Sequence, residues 1–314
     1  MHNVYRLPIV SVLLLACSFW VFSQDAPSET QDDIQWMRIE SDSGEFSIEI
    51  PKSNNLFYDE EGFLISEPGS YGKYQLKEMY LINAYADGAL LSVESYKASK
   101  SALKAFYSID KSEKGDEKTS EIANAGYTIR QMIVNTEKAQ LIRQYIASKT
   151  HIYLITAGMR DKDNAVARRF LNSLRFYQTA NPSADPGSIA MSKLPRANVS
   201  VDQDLSNQSS TTKIPNPAQK TDDKIITPLA ILSKPASAYT HEGADNYVQG
   251  TIRLKATLSK DGFIPKILII GKGLAGGLTR QALFSALRIK FLPKLIDQKP
   301  TSVILTFDYA FGIR

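Results

Sequence analysis

The side chains that could perform acid–base or metal chemistry are few in this sequence, and their spacing does not suit it. The 314 residues include three histidines, His2, His151 and His241, and one cysteine, Cys17. None of the histidines has the H-x-x-E or H-x-x-x-H spacing that places ligands on one helical face. Adjacent carboxylates such as Asp222-Asp223 are sequence neighbours, which does not make them an acid–base couple. We therefore predict that the protein is not an enzyme and holds no metal or cofactor.

A glycine-rich stretch near the C-terminal end is a candidate for cradling a phosphate with backbone amides. It contains Gly271, Gly273, Gly276 and Gly277. The spacing fits neither the dinucleotide-binding pattern nor the Walker pattern, since no Gly-Lys-Ser/Thr follows. We interpret the stretch as a turn before a helix, with Thr279 as a candidate helix cap.

Charge and the N-terminus bound the class of protein. The net charge of +4 is small, and because the basic residues are scattered we expect no nucleic-acid partner. Arg6 precedes an apolar run, Leu7–Phe22, which predicts a secretory signal peptide over residues 1–23 or an uncleaved signal anchor. The sequence Leu14-Leu15-Ala16-Cys17 also resembles a lipoprotein box, so lipidation at Cys17 is a further alternative. Residues 24–35 are polar and acidic and predict a flexible leader.

Residues 36–177 mix strand and helix periodicity, which predicts an α+β domain with an antiparallel sheet. The predicted strands are Phe46–Ile50, Met79–Tyr85, Ala89–Tyr96, Tyr127–Asn135, Gln140–Ala147 and Ile152–Ala157, and the predicted helices are Ser101–Ser108 and Asn164–Leu174. The early run Gly44–Pro51 and the closing run Arg168–Phe176 resemble the sheet-and-helix fold of PsbP-like domains. That resemblance implies a fold rather than an activity.

Residues 178–224 are rich in Ser, Thr, Asn, Gln, Asp and Pro, and no aromatic residue stands between Tyr177 and Tyr239. Such a composition buries too little apolar surface to offset the entropy of ordering the chain. We therefore predict a disordered linker between two domains.

Residues 225–314 have the clearest strand and helix signals. Thr251–Leu258 and Val303–Phe311 alternate apolar and polar residues, which predicts strands with one buried face. The pair Asp261-Gly262 predicts a hairpin turn before a short strand at Ile267–Ile270. A helix follows, with four apolar residues on one face, and these are expected to pack on the hairpin: Leu278, Ala282, Ala286 and Ile289.

This last region resembles the C-terminal domain of the TonB family. The resemblance rests on Tyr239-Thr240, Ala244, Val248–Ile252, Asp261-Gly262, Gly277–Thr279, Ala282, Ile289–Pro293 and Phe307–Tyr309. It implies a three-stranded sheet with two helices, whose last strand lies at the sheet edge and accepts a short extended peptide from an outer-membrane transporter. The implied peptide-binding edge consists of Ser302, Val303, Ile304, Leu305, Thr306, Phe307, Asp308 and Tyr309, with Tyr239 as a further partner contact.

The resemblance implies a periplasmic protein that docks onto an outer-membrane transporter or another envelope protein. It would transduce energy from inner-membrane motor proteins if the N-terminal anchor is retained in the inner membrane. Several features depart from that pattern, because the linker lacks Pro-Lys or Pro-Glu repeats and Thr240 replaces a proline. The alternative is a non-energised periplasmic binding or scaffold protein, and coverage of the edge by the linker or by a homodimer partner also stays open.

Overall fold

The computed structural model describes residues 33–52, 55–61, 63–65, 71–110, 116–124, 127–177, 187–205 and 224–312. The predicted signal segment, Cys17, His2 and most of the predicted leader lie outside these described residues. So does the second half of the predicted linker.

The first part of the chain is dominated by strands. It supplies β1 (Trp36–Glu40), β2 (Phe46–Pro51), β3 (Asn55–Asp59), β4 (Phe63–Ile65), β5 (Tyr74–Ala86), β6 (Ala89–Lys97), β7 (Asp116–Asn124), β8 (Tyr127–Asn135), β9 (Gln140–Ala147), β10 (His151–Met159) and β11 (Arg175–Phe176), with helices α1 (Leu103–Asp110) and α2 (Ala165–Asn172). The expected α+β class with an antiparallel sheet is confirmed, since the strands of the large sheet pair antiparallel.

The later part of the chain continues the numbering. It supplies β12 (Ile189–Ala190), β13 (Ser200–Asp204), β14 (Ile226–Thr227), β15 (Ala230–Ser233), β16 (Gly250–Leu258), β17 (Lys266–Ile270), β18 (Lys290–Leu292), β19 (Lys294–Ile296), β20 (Lys299–Thr301) and β21 (Val303–Phe311), with helices α3 (His241–Asp245) and α4 (Leu278–Leu287).

One large sheet forms the centre of the molecule. Its eight strands include the path β3-β5-β6-β10-β9-β8-β7, and β4 pairs with β5. One face is covered by α2 and by a four-stranded sheet in the order β11-β2-β1-β12. Phe46, Ile155 and Phe170 meet in that core and are fully buried. Phe46 lies on β2, Ile155 on β10 and Phe170 on α2. Each belongs to the face of its element that is turned towards this core, so the three elements pack together there.

The opposite face of the large sheet is covered by the C-terminal region as well as by α1. Leu232 of β15, Phe284 of α4 and Leu292 of β18 belong to the same buried cluster as Leu154 of β10. Gly158 makes the close approach possible, because a Cβ atom at that position would lie 2.1 Å from Leu232 Cδ1. Helix α4 is therefore buried on two sides, against the C-terminal sheet and against the large sheet.

The predicted linker is corrected over residues 187–205. β12 pairs in parallel with β1, Met191 is fully buried in the first core, and β13 pairs in parallel with β17. The composition-based argument failed because these short strands are stabilised by backbone hydrogen bonds to distant strands and need few apolar side chains. The remaining residues of the predicted linker, 178–186 and 206–223, lie outside the described part of the chain.

The glycine-rich stretch is a turn, as expected, but its cap differs from the prediction. Gly276 and Gly277 both have left-handed backbone angles, with φ of 63° and 73°, and Gly277 is the N-cap of α4. Thr279 Oγ1 instead hydrogen bonds the amide and the carbonyl of Leu274, each at 2.8 Å. The threonine therefore closes the loop in front of the helix.

Candidate peptide-binding edge

Strand β21 forms one border of the C-terminal sheet, whose order is β13-β17-β16-β21. It pairs antiparallel with β16 over its whole length, from Val303 opposite Leu258 to Phe311 opposite Gly250. Within the described ranges, no strand pairs with the other side of β21. The predicted position of the last strand at the sheet edge thus matches the structure of this region.

Hydrogen bonds at the far border of the sheet determine which way each backbone group points. The Ser200 amide donates to the Pro265 carbonyl at 2.9 Å, and the Gly271 amide donates to the Asp204 carbonyl at 2.8 Å. The odd-numbered residues of β17 therefore face β13. Because backbone groups alternate sides along a strand, the even-numbered residues of β17 face β16.

The same alternation carries across to β21. Leu268 lies opposite Lys255, so these two residues exchange the hydrogen bonds of β17 and β16, and even-numbered residues of β16 face β21. Leu254 lies opposite Phe307, which turns the odd-numbered residues of β21 towards β16. The N–H and C=O groups that face the open edge are therefore those of Ile304, Thr306, Asp308 and Ala310.

This geometry divides the predicted binding set in two. The backbone groups of Val303, Leu305, Phe307 and Tyr309 belong to the ladder with β16, so they cannot also pair with a partner strand. Ser302 precedes the strand, and its Oγ accepts a hydrogen bond from the Lys260 amide at 2.9 Å. Only the even-numbered residues from Ile304 onward present main-chain groups to an added strand.

The side chains along the edge offer apolar contact on both faces. Ile304 is 59% exposed on the outer face, and Thr306 beside it is also exposed. Val303 and Leu305 are half-buried on the inner face, at the margin of the C-terminal core. An added strand would cover Ile304 with one set of alternate side chains and Leu305 with the other.

An ion pair lies on the outer face next to this edge. Arg253 Nε and Nη2 each donate to Asp308 at 2.8 Å, and the two residues stand opposite each other across β16 and β21. The hydrogen bonds from Arg253 hold the pKa of Asp308 below its ordinary value. The carboxylate of Asp308, a residue of the implied peptide-binding edge, is therefore already engaged within the sheet.

Lys234, which follows β15, limits the open edge at one end. Its Nζ atom donates to the Asp308 carbonyl at 3.1 Å and lies 5.0 Å from the centre of the Tyr309 ring. The Asp308 carbonyl is one of the outward-facing groups, so a partner strand that reaches Asp308 must displace this lysine. The amides and carbonyls of Ile304 and Thr306 have no such cover from the described residues.

Tyr239, the other predicted partner contact, is bound by the chain itself. Its hydroxyl donates to the Val248 carbonyl, and its ring packs edge-on against Phe311, with centroids 6.0 Å apart. Its carbonyl accepts a hydrogen bond from the Gly72 amide at 2.7 Å. Tyr239 is half-buried and connects Gly72, just before β5, with Phe311 of β21.

A second concentration of charge lies where α4 and β18 meet the large sheet. Glu94 of β6 is fully buried, and Arg288 Nε and Lys290 Nζ each lie 2.9 Å from one of its carboxylate oxygens. Arg143 of β9 is buried nearby and donates to Thr156 Oγ1 at 3.1 Å. We call Glu94, Arg143, Arg288 and Lys290 the buried ionic cluster.

The buried ionic cluster has shifted ionisation equilibria. Burial alone would raise the pKa of Glu94, but Lys290, Arg288 and Arg143 outweigh it and hold that pKa well below its ordinary value. Burial lowers the pKa of Lys290 to about 8, although Glu94 opposes the shift. Lys290 also donates to Ser92 Oγ at 2.8 Å. The cluster thus joins the C-terminal region to the large sheet through buried charged contacts.

Sequence reasoning did not find Lys234, Arg253 or the buried ionic cluster. Lys234 and Arg253 carry no local signal, because their partners come from β21, far along the chain. Glu94 lies in β6, a strand that is buried on both faces. A buried charge needs a partner, so a glutamate within this mainly apolar strand was the signal from which a buried ion pair could have been predicted. The remaining histidines lie apart, with His151 at the start of β10 and His241 at the start of α3.

Searches for other sites and for relatives add little. No group of three or more His, Cys, Asp and Glu side chains that could hold a metal ion occurs among the residues with described positions. Over the same residues, no helix has the length and apolar character needed to cross a membrane. No family model matches the chain, and a search of curated proteins finds no match.

Proposed function

We propose that this chain is a periplasmic envelope protein that binds an extended peptide by adding it to β21 as a further strand. The observation that carries the proposal is the open edge of β21, where the backbone groups of Ile304 and Thr306 face outward and no strand of the described part of the chain lies beside them. An unpaired edge of this kind supplies main-chain hydrogen bonds for affinity, and the alternate side chains set the register.

The resemblance of residues 225–314 to TonB-family domains supports a peptide from an outer-membrane transporter or another envelope protein as the partner. Transduction of energy from an inner-membrane motor would further require that the N-terminal segment is retained as an anchor. Because a motor-driven head must reach its transporter, it needs a tether that lets it move away from the rest of the protein.

The packing of the C-terminal region favours the second candidate function, a non-energised scaffold. Arg288 and Lys290 bind Glu94 of the first domain within a fully buried cluster, and β13 extends the C-terminal sheet directly from the preceding segment. Separating the two regions would expose both the ion pairs and the apolar surface around Leu232. The edge of β21 is then presented at a fixed place on the first domain.

Selection from a display library of random ten-residue peptides tests the proposal. The purified full chain should enrich peptides with alternating apolar residues. A Thr306→Pro variant should lose this enrichment, because proline removes an outward N–H that the fold itself does not use. A Val201→Pro variant should keep it, since Val201 also has an outward N–H but lies on β13, at the opposite border of the same sheet.

Two results would refute strand addition at β21. One is that the unmodified chain enriches no peptide family. The other is that the Thr306→Pro variant, with an unfolding midpoint close to that of the unmodified chain, enriches the same peptides equally well.

A further inference from the structure

The C-terminal sheet has two borders among the described residues, formed by β21 on one side and by β13, which lies beside β17, on the other. At the β17 border, residues Ser200–Asp204 of this chain run in parallel beside β17, with Ser200 opposite Lys266 and Asp204 opposite Ile270. At the border opposite β21, the chain's own strand β13 therefore already pairs with the edge of β17.

Strand β13 is held mainly through its backbone. The Ser200 amide donates to the Pro265 carbonyl at 2.9 Å and the Gly271 amide donates to the Asp204 carbonyl at 2.8 Å. Two of its side chains contribute little, since Val201 is 45% exposed and the Lys266–Asp202 ion pair, at 3.2 Å, has both side chains more than half exposed. Exposed pairs of this kind add little to stability. The exposed Gln203 side chain adds one hydrogen bond, from Nε2 to the Gly271 carbonyl at 3.3 Å.

Strand β17, which pairs with β13, is mainly apolar. β17 has the sequence KILII, with Ile267 and Ile269 buried and Leu268 and Ile270 half-buried. After Lys266, the four residues Ile267–Ile270 are apolar, and a short apolar strand whose edge is unpaired is a typical site of self-association. The covering strand, SVDQD, is polar and carries two acidic side chains, which is the kind of edge that natural sheets use to prevent pairing with another chain.

We infer that residues 200–204 are a guard strand: they close the β17 edge against a second copy of this chain, so that strand addition is confined to β21. When the guard strand is displaced, the exposed β17 edges of two copies pair with each other. The second copy is the favoured occupant because two identical KILII strands bury apolar side chains that the guard strand leaves partly open.

Proline scanning along β13 tests this inference with a matched control. Residues 200, 202 and 204 face β17, whereas 201 and 203 face outward. The double variant Asp202→Pro/Asp204→Pro removes two ladder hydrogen bonds, and the double variant Val201→Pro/Gln203→Pro places the same number of prolines in the same strand without removing any. Light scattering after size-exclusion chromatography measures the mass of each variant over a hundredfold range of concentration.

We expect the 202/204 variant to form a dimer as concentration rises and the 201/203 variant to remain monomeric. The dimer should persist when Thr306→Pro is added, because the β21 edge takes no part in it. Equal behaviour of the two double variants would overturn the inference, as would loss of the dimer on adding Thr306→Pro.

Circular dichroism checks that each variant is folded. If the 202/204 variant unfolds, the single Asp202→Pro variant is measured against Val201→Pro with the same criteria. The light-scattering assay contains no peptide, so its result does not depend on peptide binding at β21. The guard strand can therefore be confirmed even if the display selection refutes peptide binding, and peptide binding can be confirmed even if the guard strand is refuted.

Discussion

Two ionic contacts of the C-terminal region stand in opposite environments. The buried ionic cluster places Glu94 between Arg288 and Lys290, all at most 2% exposed, whereas Arg253 and Asp308 beside the open edge are 56% and 46% exposed. Removing one partner of a buried ion pair leaves an uncompensated buried charge and lowers the stability of the fold strongly. An exposed pair is screened by water and salt and contributes little to stability. The buried ionic cluster thus attaches the C-terminal region to the large sheet, whereas the exposed pair beside β21 can be broken with little loss of stability.

The largest expected effect follows from removing the carboxylate of the buried ionic cluster. Glu94→Ala should lower the free energy of unfolding by about 3–5 kcal/mol, because it takes away the buried anion that neutralises Arg288 and Lys290. Urea unfolding monitored by Trp36 fluorescence and by circular dichroism measures the change. Asp163→Ala is the control, since Asp163 pairs with Arg168 at 3.5 Å with both side chains exposed.

Similar small changes in the free energy of unfolding for Glu94→Ala and Asp163→Ala would refute the contrast between buried and exposed ion pairs. The buried ionic cluster would then contribute nothing particular to the attachment of the C-terminal region.

A smaller effect concerns pH. The pKa of Lys290 is about 8 in the folded protein, below its ordinary value of 10.5, so between these values the unfolded chain binds more protons at this position than the folded chain does. The free energy of unfolding should therefore rise with pH across this window, by on the order of 1–2 kcal/mol between pH 7.5 and 9.5. Well below pH 7 the group is protonated in both states and contributes no slope.

The pH effect is measured as a difference between the unmodified chain and Lys290→Met, which removes the titrating group and keeps a side chain of similar volume. Subtraction cancels other groups that titrate in the same range in both proteins. Identical slopes in the two proteins would show that Lys290 is not held at a lowered pKa.

The smallest expected effect is at the exposed pair. Asp308→Ala should leave the unfolding midpoint in urea close to that of the unmodified chain, because water and salt already screen the contact with Arg253. It should nevertheless change which peptides the display selection enriches, since the Arg253 guanidinium beside the edge is released. A loss of stability comparable with that of Glu94→Ala would erase the contrast between the two regions.

Local sequence signals accounted for much of the fold. The alternation in Tyr127–Asn135, Gln140–Ala147 and Val303–Phe311 predicted β8, β9 and β21 at their observed bounds. Asp87 and Gly88, which lie between the predicted strands Met79–Tyr85 and Ala89–Tyr96, both have positive φ and form the turn between β5 and β6. In these segments the local strand signal and the structure coincide, although β9 has four consecutive buried residues, Arg143–Ile146, because both of its faces are covered.

The rest depends on contacts between distant parts of the chain. β13 forms because its backbone meets β17, and its polar side chains give no sign of that. The buried ionic cluster is assembled from β6, β9, the end of α4 and the start of β18. Within its own segment, each of its members has the pattern of an ordinary charged residue. The edge of β21 was predicted, but the direction of its backbone groups follows only from the register of the whole sheet.

Residue-by-residue amide hydrogen exchange, followed by NMR, tests the open edge most directly. We predict that the amides of Ile304 and Thr306 exchange rapidly while those of Leu305 and Phe307 are protected, and that a peptide enriched in the display selection slows exchange at Ile304 and Thr306. Protection at Ile304 and Thr306 equal to that at Leu305 and Phe307 in the protein alone would show that another strand already occupies the edge, and would contradict the proposed function.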